Sequence, residues 1–211
     1  MVREKKGNLL EAKENIIAHQ VNCIGVMGAG VAKQIRDKVL TGPQYEKYRY
    51  LCNTGGAALL GHMQIQKVIQ TLEEKFVANL FGENIPTGKE LDTNYLALEK
   101  ALRKLQEYAE RNKLSVALPG YLGCGLAGGN WDIVYSMIDD IFQDTDVTVY
   151  YINDSIQNLW KDFGDVPMDP KTECIEENWH CFKAGTHREE IWQWFEDTFE
   201  IPVHDLMFPE W

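Results

Sequence analysis

The chain of 211 residues has no long apolar run, and none of its runs approaches the ~20 residues of a transmembrane helix. Its first residues, 1–6, lack the apolar core of a signal peptide. Internal repeats and low-complexity segments are also missing. We therefore expect a cytoplasmic protein that has no membrane partner.

Positive charge is scarce, because 21 Lys and Arg residues stand against 32 Asp and Glu residues, for a net charge of -11. This balance makes general nucleic-acid binding an unlikely function, although a local positive site is compatible with it. The five cysteines are odd in number, and none of them has C-x-x-C spacing. Reduced thiols are therefore expected and a zinc site is not. No cluster of ligands requires a metal, and no cofactor is predicted.

The residues that are present predict an α/β domain. Hydrophobic residues make up 45% of the chain and charged residues 25%, as in globular proteins. Apolar runs alternate with segments of helical periodicity, which indicates a mostly parallel sheet covered by helices on both faces. The predicted strands cover 16–21, 63–69, 76–81, 114–118 and 147–152, with a short strand or turn at 5–12. The predicted helices cover 30–39, 45–52, 93–112 and 131–142.

The last quarter of the sequence differs from the rest. Residues 161–177 are acidic and contain Gly164, Pro167 and Pro170, which predicts irregular structure. Thr186 and Glu189 form a capping box ahead of an aromatic-rich helical segment. We therefore expect a domain over 1–153 and a small helical C-terminal extension over 154–211. The extension either covers the domain or recruits a protein partner.

Two glycine-rich loops each follow a predicted strand and precede a predicted helix. Glycines there allow backbone N–H groups to face a ligand, and the helix N-terminus adds partial positive charge. Both loops lie at the carboxyl edge of the sheet, where α/β proteins bind ligands. Together they predict a clamp for a diphosphate, and the alternative is a pair of tight structural turns. The loops are Gly25-Val26-Met27-Gly28-Ala29-Gly30 and Gly123-Cys124-Gly125-Leu126-Ala127-Gly128-Gly129-Asn130.

At these loops the sequence resembles the macrodomain family of ADP-ribose binders. The similarity covers about residues 1–153, and the order and spacing of its motifs agree with the family. Three branches are similar: terminal ADP-ribose protein glycohydrolases, macrodomains that remove ADP-ribose from DNA, and ADP-ribose 1''-phosphate phosphatases. The matching motifs are Gly7-Asn8-Leu9-Leu10, Val21-Asn22-Cys23-Ile24, the first loop with Val31-Ala32, Asn79-Leu80-Phe81-Gly82, Leu118-Pro119 and the second loop with Trp131.

This resemblance implies a three-layer α/β/α sandwich with ADP-ribose in a cleft across the sheet edge. The first loop would hold the distal ribose and one phosphate, and the second loop would wrap the diphosphate. Asn8 replaces the aspartate that many macrodomains use to bind adenine, so weaker adenine binding is expected. The implied ligand-binding residues are Asn8, Leu9, Gly25, Val26, Met27, Gly28, Ala29, Gly30, Val31, Gly123, Cys124, Gly125, Leu126, Ala127, Gly128, Gly129 and Asn130.

The catalytic residues of the glycohydrolase branch are missing. Ala127 stands where its aspartate would be, and the segment Gly82-Glu83-Asn84 has no lysine. His19, three residues before Asn22, instead matches the phosphatase branch. We therefore predict a hydrolase in which His19 is the acid/base residue and Asn22 orients the distal ribose. The favoured substrate is ADP-ribose 1''-phosphate.

Other interpretations remain open for the function and for single residues. The protein could instead remove ADP-ribose from protein or nucleic acid, or bind an ADP-ribose nucleotide without hydrolysing it. His19 could be a core histidine bonded to a neighbour, and Asn22 a turn-capping amide. Cys23 and Cys124 fit buried small side chains better than nucleophiles.

Overall fold

The computed structural model describes residues 2–68, 74–88 and 90–151. The extension expected over 154–211, with its aromatic-rich helix, lies outside the described residues. The strands are β1 (Val2–Lys6), β2 (Ile16–Asn22), β3 (Met63–Lys67), β4 (Phe76–Glu83), β5 (Val116–Pro119) and β6 (Val147–Tyr151). The α-helices are α1 (Gly30–Lys38), α2 (Gly42–Gly55), α3 (Tyr95–Asn112) and α4 (Trp131–Ile141), and short 3₁₀ turns cover Leu9–Glu11 and Gly56–Leu59.

The six strands form one sheet in the order β1-β6-β5-β2-β4-β3. Five of them run parallel, and β3 pairs antiparallel with β4 at one edge. β2 lies between β5 and β4, so it is covered on both sides by other strands. The prediction of a mostly parallel sheet is confirmed.

Side chains of β2 alternate between two hydrophobic cores. Ile16 and Ala18 pack with residues of α3 and α4. Ile17 and Val21 pack with residues of α1 and α2 on the opposite face. Because successive side chains of a strand point to opposite faces, a central strand needs apolar residues at nearly every position. The helices therefore form one layer on each face, and the predicted three-layer sandwich is confirmed.

Two elements differ from the sequence prediction. The first strand is Val2–Lys6, ahead of the expected 5–12, and most of its side chains are exposed. Helix α2 begins at Gly42, three residues ahead of the predicted start at residue 45. Pro43 lies in the first turn of that helix, where a missing N–H costs nothing, and Thr41 and Gln44 close a capping box there.

The start of α3 also differs, in a way that affects the sheet edge. The predicted helix begins at residue 93, but the cap in the structure is Asn94, whose side-chain oxygen accepts from the N–H of Ala97 at 3.0 Å. Asp92 and Thr93 are thereby available to brace the loops near the edge.

Within the described ranges no helix is long and apolar enough to cross a bilayer, and no His, Cys, Asp and Glu cluster is arranged to hold a metal.

Candidate functional site

The two glycine loops leave neighbouring strands toward opposite faces of the sheet. β2 and β5 pair in parallel, so their carboxyl ends meet at the same edge. The first loop leads from β2 into α1, which belongs to one core, and the second leads from β5 into α4, which belongs to the other. Such a switch point opens a crevice outside the strand ends, and ligands of α/β proteins bind there.

The first loop is braced from within by Asn22, which is only 6% exposed. Its side-chain oxygen accepts from the N–H groups of Ile24 and Val26 at 3.2 and 3.1 Å, and its amide nitrogen donates to the carbonyl of Val26 at 2.6 Å. The buried Tyr48 hydroxyl donates to the Asn22 carbonyl at 2.8 Å. These contacts favour the turn-capping interpretation of Asn22 over direct contact with a ribose.

The N-terminus of α1 completes the first loop. Its cap residue, Ala29, has no side-chain oxygen that could accept from the first turn, and no acidic residue lies in that turn. The Arg36 guanidinium donates to the carbonyl of Met27 at 2.8 Å and holds the loop against the helix. Met27 is buried, whereas Val26, Gly28 and Ala29 are exposed. The helix end thus faces solvent with partial positive charge, as an anion site requires.

The second loop is closed by its own backbone and by the segment before α3. The N–H of Gly129 donates to the carbonyl of Gly123 at 3.0 Å, and Thr93 donates its hydroxyl proton to the same carbonyl. The carbonyl of Ala127 accepts from the N–H groups of Asp92 and Thr93 at 2.9 and 3.0 Å. Asn130 caps α4 by accepting from the N–H of Asp132 at 2.9 Å.

The loop glycines fall into two groups. Gly25, Gly30, Gly123 and Gly128 have φ between 55° and 79°, and at Gly129 a Cβ would lie 2.6 Å from the carbonyl oxygen of Gly123, so the fold itself requires these glycines. Two further glycines, Gly28 and Gly125, have neither a left-handed φ nor a clash with a Cβ. The backbone at these two positions therefore has open space beside it.

His19 lies inside the core rather than in the crevice. It is 1% exposed, and its Nε2 contacts Asn79 Oδ1 at 2.8 Å. Asn79 donates to Gln64 Oε1 at 2.9 Å, so a row of polar side chains crosses β2, β4 and β3 under the helices. Burial lowers the pKa of His19 to about 4. This geometry favours the core-histidine interpretation over an acid/base role, because the ring is almost fully buried and contacts Asn79.

The residues at the proposed adenine end lie on the same edge, three strands away from the first loop. Asn8 follows β1 and accepts from the N–H of Leu10 at 2.9 Å, while Leu9 is buried in the core. Strands lie about 4.8 Å apart, so the edge from β1 to β2 spans about 14 Å. Such a length suits an elongated ligand that contacts both Asn8 and the glycine loops.

One acidic residue at this edge was missed by the sequence analysis. Glu83 ends β4 and pairs in register with Asn22. Burial and the nearby charge of Asp92 raise the pKa of Glu83 to about 7. The signal in the sequence was a lone carboxylate directly after a buried apolar strand.

The Cys23 thiol lies near Glu83, and burial raises its pKa to about 11, which agrees with an inert side chain.

The model of the Macro domain family matches residues 18–138. The chain is 29% identical over 163 residues to the DNA ADP-ribosyl glycohydrolase of Mycobacterium tuberculosis, a match covering 71% of this chain and 42% of the relative. It is 28% identical over 177 residues to the enzyme of that name from Thermus aquaticus, covering 81% and 46%. The chain thus spans less than half the length of these curated relatives. The solved macrodomain of Mycobacterium tuberculosis DarG superposes with a TM-score of 0.63 at 25% identity, covering 72% of this chain and 99% of that one.

Proposed function

The chain belongs to the Macro domain family, and from this premise we propose that it binds ADP-ribose at the carboxyl edge of the sheet and releases it by hydrolysis from a modified macromolecule. The bond that is cut joins C1'' of the distal ribose to its acceptor. The distal ribose lies against the first glycine loop, the diphosphate lies between the two loops, and the adenine lies toward Asn8.

The observation that carries this proposal is the pair of glycine loops at the switch point. They rise from adjacent strands, and the two helices that follow them lie on opposite faces. Gly28 and Gly125 are glycines for which the fold has no need. A ligand with two linked phosphates explains why both loops, on both sides of the crevice, keep backbone open to solvent.

DNA is the first acceptor to test, because the curated relatives at 28% and 29% identity are DNA ADP-ribosyl glycohydrolases. The net charge does not oppose this choice. Residues 1–151 carry 17 Lys and Arg against 18 Asp and Glu, whereas residues 152–211 carry 4 against 14. The acidity of the chain therefore belongs almost entirely to its last 60 residues, and the domain itself is close to neutral.

Hydrolysis of ADP-ribose 1''-phosphate is the competing hypothesis, and it depends on His19 as the acid/base residue. The burial of His19 and its contact with Asn79 weaken that argument. A mechanism through a lysine adduct has equally little support, since Ala127 and the Gly82-Glu83-Asn84 segment lack the required side chains. We therefore favour direct attack of water on C1''.

The test begins with calorimetric titration of the full chain with ADP-ribose. The same preparation is then incubated with ADP-ribosylated single-stranded DNA, with ADP-ribosylated protein and with ADP-ribose 1''-phosphate. We expect binding, and release of free ADP-ribose from the DNA. Phosphate release alone would replace the proposal with the phosphatase hypothesis. Binding without any turnover would indicate a non-catalytic reader, and absence of binding would contradict the whole assignment.

A further inference from the structure

Glu83 lies at the carboxyl edge of the sheet, next to the base of the first glycine loop. It is the last residue of β4, and across a β-bulge it pairs in register with Asn22, the residue that braces that loop. One residue further on, the carbonyl of Asn84 accepts from the N–H of Cys23 at 3.0 Å. The backbone carrying Glu83 is thus fixed to the base of the loop that holds the distal ribose in the proposed function.

The carboxyl group of Glu83 is half-buried next to a second carboxyl group. Asp92 is committed to structure: its oxygens accept from the N–H groups of Thr87 and Gly88 at 2.8 and 2.9 Å and from the Thr87 hydroxyl at 2.7 Å. Three donors thus hold the Asp92 carboxylate in place. In the described ranges, which omit residue 89, no cation and no hydrogen-bond donor contacts the Glu83 carboxyl.

The carboxyl groups of Asp92 and Glu83 therefore have different environments. Burial and the nearby Asp92 carboxylate raise the pKa of Glu83 to about 7. The Cys23 thiol also lies near Glu83, and burial raises the pKa of that thiol to about 11, so it is neutral near pH 7. Two carboxyl groups with divergent environments are typical of acid/base sites, whereas a purely structural carboxylate is normally paired.

Resting on the proposed function, we propose that Glu83 is the catalytic residue that moves the proton during hydrolysis at C1''. As the oxygen of water bonds to C1'', the Glu83 carboxylate accepts a proton from that water. The bond between C1'' and the acceptor breaks, and its electron pair leaves with the acceptor. Glu83 then returns the proton to the acceptor atom. The products are ADP-ribose and the unmodified acceptor, and Glu83 is again a carboxylate.

The test compares Glu83→Gln with the original full chain, and Glu107→Gln serves as the matched control. Glu107 is an exposed residue of α3 on the outer surface. The measurements are release of ADP-ribose from ADP-ribosylated single-stranded DNA, the ADP-ribose Kd from calorimetry, and the melting temperature. General acid/base catalysis contributes about 10²- to 10⁴-fold, so Glu83→Gln should lower kcat by at least about 100-fold. Its ADP-ribose Kd should stay within about threefold, and Glu107→Gln should change neither quantity.

A pH profile separates catalysis from a structural role. In the original chain kcat/KM should rise with pH through about 7, because the carboxylate is the active form. That rise should disappear in Glu83→Gln. Asp92→Asn removes the neighbouring charge, so it should move the rise to lower pH.

The outcomes are distinguishable. Turnover by Glu83→Gln within about threefold of the original chain would overturn the assignment of Glu83 and leave the proposed function intact. Loss of both turnover and ADP-ribose binding in Glu83→Gln would also overturn it, in favour of a structural role. An original chain that hydrolyses no ADP-ribosylated substrate would overturn the proposed hydrolysis, and the role of Glu83 with it.

Discussion

A negative charge placed in either glycine loop should weaken ADP-ribose binding without disturbing the fold. The variants are Gly28→Asp and Gly125→Asp. At Gly28 the nearest atom to an added Cβ is Val26 Cγ1 at 3.5 Å, and at Gly125 nothing lies within 4 Å. Neither glycine has a left-handed φ. The melting temperature should therefore change by no more than a few degrees.

The expected size follows from Coulomb's law. Two unit charges about 4 Å apart repel by about 1 kcal/mol in water and by about 4 kcal/mol near a protein surface. Since about 1.4 kcal/mol corresponds to a factor of ten in Kd, binding should weaken between about 5-fold and about 1,000-fold. The effect should shrink in 1 M salt, where the screening length falls to about 3 Å.

The matched control is Gly42→Asp. Gly42 also has open space around its Cβ position. It begins α2, where the side chain of Gln44 donates to the carbonyl of Lys67, and Lys67 pairs with Phe76 at the start of β4. This places Gly42 near the amino edge of the sheet, opposite the loops. Calorimetric titration of all three variants should show weaker binding only for the loop variants. Equal Kd values for the three would refute the diphosphate clamp.

Three further predictions concern stability. The folded pKa of His19, about 4, lies below its unfolded value of 6.5, so the unfolded state binds the proton first. The free energy of unfolding should therefore fall by up to about 3 kcal/mol as the pH drops from 6.5 to 4. Urea titrations should show this fall, and His19→Gln should remove it. Leu105 is fully buried, so Leu105→Ala should cost about 2 to 5 kcal/mol in the same assay. Tyr48→Phe leaves the carbonyl of Asn22 without its hydroxyl donor, so it should lower the free energy of unfolding by about 1 to 3 kcal/mol. It should also weaken ADP-ribose binding in calorimetry. An unchanged Kd would show that the first loop does not need this hydrogen bond.

The central strands and both loops could be predicted because their signals are local. Ile16, Ile17 and Ala18 are apolar at successive positions, which is typical of a strand with helices on both faces. The glycines after β2 and β5 mark sharp turns before helices. These features were enough to predict the sandwich and the position of the crevice.

Other features depend on contacts between distant parts of the chain. The residues of β1 have no apolar alternation, and β1 is a strand only because its backbone pairs with β6. The environment of Glu83 requires Asp92, nine positions later, to be anchored by the turn at Thr87 and Gly88. The burial of His19 could be predicted in part from the sequence, since His19 shares a strand face with the core residues Ile17 and Val21.

The pairing of β1 with β6 has a consequence for synthesis of the chain. Val2 pairs with Val147, and the side chains of Arg3 and Asp146 form an ion pair at the same end. The partners in this pairing lie 145 residues apart, as Lys5 and Tyr150 do. At about 5 to 20 residues per second, a ribosome needs about 7 to 30 s to cover that distance. During this interval β1 has emerged without the strand it requires, so a nascent chain should acquire its full sheet only after β6 has left the exit tunnel.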